Sequence, residues 1–104
     1  MRKSLMLLVV GVVCLCPCYT FGDGNPDLQY MLAEGYLRSQ DYVTAVKWFR
    51  IAAENGHPKA KYQLGRCYEK GLGVARNIAE AKYWYREAEK QGDSEATAAL
   101  RRLE

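Results

Sequence analysis

The side chains of this 104-residue sequence with most reach toward metal or nucleophilic chemistry are one histidine, His57, and four cysteines, Cys14, Cys16, Cys18 and Cys67. Their placement argues against both. A metal site needs three or four ligands converging at short spacings, and His57 stands without a second ligand cluster beside it, so no metal or other cofactor is expected. It directly precedes Pro58, which fits a capping or solvated residue in a turn between helices. Cys67 has no histidine near it in sequence to act as a base. A penicillin-reactive serine wants lysine three residues on, whereas Ser4, Ser39 and Ser94 are followed at that distance by Leu7, Tyr42 and Thr97. The glycines of Gly71 to Gly73 follow a helical run rather than a strand and lack the Walker spacing, so they make a poor phosphate loop. With no catalytic set in view, an enzyme is not expected.

Binding chemistry is better represented. Spacing of three or four residues groups Asp27, Tyr30, Glu34 and Arg38 on one helical face, and Lys59, Tyr62, Arg66 and Lys70 on another, with Arg102 as a further contributor. Tyr30 and Tyr62 offer flat amphipathic contact area, and Lys59, Arg66 and Lys70 suit an acidic segment or a terminal carboxylate of a partner protein or peptide. The competing explanation is packing of the tyrosines between helices above a merely solvated charged face. Trp48 and Trp84, each beside small alanines, read as packing residues rather than as a ligand pocket.

The elements that must position these faces are helices. Asn25 and Pro26 form a capping start for a helix over Pro26 to Arg38, with Leu28, Leu32, Ala33 and Tyr36 as its expected buried stripe. Asp41 caps a second helix, about Tyr42 to Asn55, which presents Ala45, Trp48, Phe49 and Ala52 and ends at Gly56. A third runs from Pro58 to about Gly71 with Ala60, Leu64, Gly65, Cys67 and Tyr68 inward. Asn77, with Glu80 three residues later, opens a fourth that presents Ala81, Trp84, Tyr85 and Ala88 and stops before Gly92. Asp93 caps a last helix over Ser94 to Leu103. The expected architecture is all-α.

Residues 1 to 22 read as a secretory signal peptide: Arg2 and Lys3 precede an uncharged apolar run from Leu5 to Cys16, followed by Pro17 and small residues, with cleavage expected after Gly22. The run is too short for a membrane helix, which needs roughly 20 apolar residues. Val13, Leu15 and Pro17 directly precede the first three cysteines and do not fit a lipoprotein signal. Removing Arg2 and Lys3 takes 15 basic residues to 13 against 12 acidic, a net charge of +1. So neutral a domain lacks the basic footprint of a general nucleic-acid binder. Cys67 alone remains, and its helical setting favours burial. The expected location is periplasmic or secreted, with bacterial export favoured.

The helices repeat. Pro26, Tyr30, Leu32 and Tyr36 recur 32 residues later as Pro58, Tyr62, Leu64 and Tyr68, and Ala45, Trp48, Arg50, Ala52 and Gly56 recur 36 residues later as Ala81, Trp84, Arg86, Ala88 and Gly92. Ala60 and Leu64 return once more as Ala96 and Leu100, but Gly65 becomes Arg101, which marks the last helix as a solvent-facing cap. The stretch LGRCYEKGLGV from Leu64 to Val74, followed by AKYWYREAEKQG from Ala81 to Gly92, resembles the Sel1-like repeat, a relative of the tetratricopeptide repeat. The first copy is plainer, with Ala33 in place of Gly65 and no loop glycines. The resemblance implies a right-handed stack of antiparallel helix hairpins, an α-solenoid of two repeats (about 26–56 and 58–92) plus a cap, whose first helices line a concave binding face. It implies a protein-interaction function. Two alternatives come with the family: an immunity protein that neutralises an antibacterial toxin, and a weak hydrolase of penicillin-like or cell-wall substrates, the latter disfavoured because Cys67 has no mate. So small a stack also favours a partner or a homodimer.

Overall fold

The computed structural model describes residues 24–104; the segment read as a signal peptide, residues 1 to 22, and the cleavage expected after Gly22 lie outside the described residues. Five helices follow one another: α1 (Pro26–Arg38), α2 (Tyr42–Glu54), α3 (Pro58–Lys70), α4 (Ile78–Lys90) and α5 (Ser94–Leu103), with no strand among the described residues. Each packs chiefly on its neighbours in sequence, the arrangement of a helical solenoid. The helix spans expected from capping residues and periodicity agree with these to within a residue or two.

The helix ends explain why the chain turns where it does. At the end of α2 the Gly56 N–H donates to Ala53 O (3.0 Å) and the His57 N–H to Ala52 O (3.0 Å). The same pair of bonds closes α4 at Gly92 and Asp93, and α1 at Gln40 and Asp41. These are left-handed C-terminal returns, with φ of +96° at Gly56, +90° at Gly92 and +66° at Gln40. Each return hands directly to the next start: Asp41, His57 and Asp93, the residues that finish one helix, are the N-caps of α2, α3 and α5. Gln40 shows that the first hairpin makes this turn without the usual glycine.

The longer link between α3 and α4 has another job. Gly73, at φ +74°, lies so close to the start of α2 that a Cβ there would collide with the Tyr42 carbonyl and approach the Val43 nitrogen. The inserted loop is therefore a strap that ties the second repeat to the first.

Two apolar clusters form the interior. In the larger, Val46, Phe49 and Ala53 of α2 meet Ala60, Leu64 and Cys67 of α3, with Ala33 and Trp84 at its borders. In the smaller, Ala81, Tyr85 and Ala88 of α4 meet Ala96, Ala99 and Leu100 of α5. Gly65 lets α3 and α4 touch: a Cβ there would stand 2.7 Å from the Tyr85 ring and 3.2 Å from Ala81 O. Ala33 at the equivalent place in α1 is fully buried.

The stripe expected on α1 needs correction. Ala33 is buried, but Leu28 (45% exposed), Leu32 and Tyr36 lie on the surface beside Met31 (65% exposed), while Gln29 is fully buried in their stead. The physical reason lies in the repeat. Leu28, Leu32 and Tyr36 match Ala60, Leu64 and Tyr68, which in α3 lean on the preceding helix α2; among the described residues no helix precedes α1. Gln29 goes inward because Asn55 Nδ2 donates to its Oε1 (3.0 Å). A buried amide with such a partner avoids the desolvation penalty of an unmade bond.

Two outcomes test this account. Gly92→Ala, where added atoms meet nothing, should cost about 1 kcal/mol through backbone strain alone, whereas Gly73→Ala should cost more because it also displaces the strap; urea unfolding of both would rank them, and equal losses would refute the strap. Cys67, 2% exposed and with its thiol pushed up to about 11 by burial, should resist alkylation at pH 8 until the chain is unfolded.

Candidate functional site

The first helices of the hairpins, α1 and α3, and the cap α5 present side chains that interlock along one face. At its head, the Tyr30 ring stacks on His57 at 4.4 Å and 12° and leans on Phe49 at 5.9 Å. Its hydroxyl donates to Glu34 Oε2 (3.1 Å), and burial, followed by the Glu34 charge, raises its pKa. His57 serves as the N-cap of α3, its Nδ1 accepting the Ala60 N–H (3.1 Å), while Nε2 faces Asp27 Oδ1 at 3.3 Å. Both contacts are met by the neutral ring protonated on Nε2, and burial lowers the His57 pKa against the pull of Asp27. The single histidine is thus a cap, as its place before Pro58 suggested.

Further along, Lys59 pairs with Glu95 and lies 3.7 Å from Asp93 Oδ2, which joins α3 to the cap and raises its pKa. Its ammonium also hovers 6.0 Å from the Tyr62 ring. Tyr62 rests on Tyr85 at 5.7 Å. Arg66 Nη1 donates to Gln63 Oε1 (3.0 Å). Arg38 and Lys70 are exposed in the last turns of α1 and α3. So Tyr30 with Glu34, and Lys59 with Tyr62, are brought together as separate pairs, while Arg38 and Lys70 stand at the far helix ends.

A residue that periodicity did not single out closes the face. Glu69 accepts the Tyr85 hydroxyl (2.6 Å) and both arms of Arg102 (2.6 and 3.2 Å), so α3, α4 and α5 meet at one carboxylate. The Arg102 bonds, chiefly, hold Glu69 below the ordinary carboxylate range. Burial, then Glu69, drives the Tyr85 phenol upward. No sequence signal marked Glu69, because its repeat counterpart is Leu37. Between α3 and α5 lies a cleft of about 330 Å³ lined by Tyr62, Glu95, Ala98, Ala99 and Arg102. Ala98 and Ala99 keep its floor low. A second concavity, about 420 Å³, runs along the bare side of α1 past Leu28, Met31, Leu32 and Gly35. Among the described residues no three His, Cys, Asp or Glu side chains gather to hold a metal, and no helix is long and apolar enough to cross a membrane. The chemistry on offer is recognition by aromatic faces and paired charges.

Fold and site together define a helical-repeat solenoid with a ladder-like side-chain face. The Sel1 repeat model matches residues 18–57 and 58–93, and the chain belongs to the Sel1 repeat family. It is similar to the DAP3-binding cell death enhancer 1 of Rattus norvegicus, 46% identical over 63 residues that make up 61% of this chain and 12% of that protein. It is also similar to the chitin synthase regulator SKT5 of Malassezia restricta, 36% identical over 74 residues that make up 71% of this chain and 5% of that one. The chain therefore spans a small part of the length of these relatives. Among solved structures, a Sel1 repeat protein from Oxalobacter formigenes superposes with a TM-score of 0.71 at 34% identity, covering 74% of this chain and 33% of that one.

The Glu69 junction has a pH signature. A carboxyl whose folded pKa lies below its unfolded value contributes stability that is complete above the unfolded value, near 4.3, and is lost as pH falls through the folded value. Thermal melts between pH 7 and pH 2 should show a steeper acid loss for the wild type than for Glu69→Gln, and parallel curves would contradict the clamp.

Proposed function

We propose that the chain is an exported protein-binding module that holds a partner's extended segment along the face from Tyr30 to the cleft beside Tyr62. The observation that carries this is the cleft itself: an aromatic platform, a floor of two alanines and polar groups of both signs at the rim suit a peptide, whose backbone needs donors and acceptors and whose side chains need apolar seats. Lys59 is already paired with Glu95, so recognition of an acidic side chain falls to Arg66 and Lys70. Similar proteins whose names record a binding or a regulatory role support interaction over catalysis. Export to the bacterial envelope rests on the basic start and apolar run before Pro17.

Tyr62 supports Tyr85, so truncating it would confound binding with folding. Ala98, exposed at the cleft, is the cleaner probe. Ala98→Arg should fill the cleft, leave the melting temperature unchanged within about 2 °C, and reduce recovery of a stoichiometric partner from the envelope fraction at least about tenfold, which corresponds to losing one good contact. Undiminished recovery by this variant and by Arg66→Ala would remove the binding segment from this face. Export is checked separately by the mass of the purified chain, expected to begin at Asp23.

A further inference from the structure

Four of the seven large apolar side chains exposed among the described residues, Leu28, Met31, Leu32 and Tyr36, crowd onto one side of α1. This concentration has a specific origin. Shifted by one repeat, Leu28, Leu32 and Gly35 become Ala60, Leu64 and Cys67, all buried in the cluster shared with α2, and shifted again Leu28 and Leu32 become Ala96 and Leu100, buried against α4. The same face is thus covered by a helix in the second and third copies, while among the described residues no helix covers it in the first.

We propose that the occupant is α1 of a second copy, packed antiparallel across a twofold axis that passes near Leu32. The two ends of the stack and the charges of α1 select this arrangement. A head-to-tail stack is disfavoured, because α5, at the other end of the described solenoid, carries the exposed charge of Arg101 where α3 carries Gly65 for close helix approach. The bare face is complementary to itself: Gly35 leaves a hollow in which an added Cβ would meet nothing, one turn from Leu32, and an axis near Leu32 carries Leu28 of one copy over Gly35 of the other. Charge fixes the direction. Asp27 and Arg38 flank the same edge of the face three helical turns apart, so an antiparallel crossing sets each Asp27, which also faces His57 Nε2, beside the partner's Arg38, whereas a parallel twofold carries these residues to opposite edges of the seam and forms no such pair. Arg38 is exposed and enters no ion pair among the described residues. The macrodipoles of the two helices run opposed as well.

One helix face per copy supplies roughly half of the about 800 Å² per partner found in standard complexes. The dimer is accordingly weak and concentration-dependent, and it leaves the cleft beside Tyr62 open. Because its residues are separate from that cleft, it stands or falls apart from the proposed function.

The test is sedimentation velocity on protein expressed from the full-length sequence, with its N-terminus fixed by mass. A reversible monomer–dimer equilibrium in the micromolar range is expected. Leu32→Glu, which places a charge in the seam at a surface position, should weaken it at least about tenfold with an unchanged circular dichroism melt at dilute concentration. Arg38→Glu should weaken it, and adding Asp27→Arg should restore it. Under mild oxidation Leu32→Cys should cross-link to itself, whereas Leu28→Cys should not, since two such residues would lie about 12 Å apart along antiparallel helices. A monomer at every concentration overturns the proposal. If Met31 of that monomer also stays protected from peroxide, the chain's own residues before Gly24 cover the face instead. Self-cross-linking by both cysteine variants would overturn the antiparallel geometry.

Discussion

The contact on which the stack depends is the flush meeting of α3 and α4 at Gly65, where a helix backbone lies directly on the ring of Tyr85. Close approach is what lets a small domain bury anything. Helices separated by large side chains would need a longer chain to exclude the same water, and this one has few residues to spend. The rest of the interior obeys the same constraint: alanines at 33, 45, 52, 53, 60, 81, 88 and 96 are nearly or fully buried, and the bulk is supplied by a few wedges, Phe49, Leu64, Trp84 and Tyr85. An interior of small residues with sparse wedges tolerates little change in volume. It also explains why the repeats share a spacing so closely, since each wedge must fall opposite a gap.

Much of this was legible in the sequence, and for identifiable reasons. Caps, prolines and glycines are local devices, so the five helices and their limits could be read residue by residue. The faces of α3 and α4 were legible because both sides of each are occupied by neighbours in the chain. The face of α1 was misread, because periodicity locates an apolar stripe but is silent on whether a neighbour covers it. Glu69 escaped for a different reason: it gains its partners, Tyr85 and Arg102, from two other helices, and pairings 16 and 33 residues away leave no mark on local pattern. Of the side chains grouped by spacing, those near a helix start, Asp27, Tyr30 and Lys59, found partners across the stack, while those at the helix ends, Arg38 and Lys70, are exposed.

The N-caps show how a repeat can carry two kinds of information in one residue. Asp41, His57 and Asp93 each complete the return of the helix before and open the helix after. Because no longer loop separates the two roles, the angle between consecutive helices is set within a few residues, the left-handed Gln40, Gly56 or Gly92 and the N-cap directly after it. Aspartate serves twice. At the junction between repeats the chain uses His57, whose ring additionally supplies a flat surface for Tyr30. The junction is thereby stiffened by stacking where an aspartate would give only the cap.

The two tryptophans occupy matching positions in the repeat but not matching environments. Trp84 is buried with its indole N–H lacking a hydrogen-bond partner among the described residues, while Trp48 is half-buried at the margin of the same cluster. An indole shut away from water emits at shorter wavelength than one that touches it, so the chain carries a separate optical reporter for each hairpin. Any event that loosens one repeat before the other, whether heating, dilution or the arrival of a partner, can be assigned to its hairpin by colour alone.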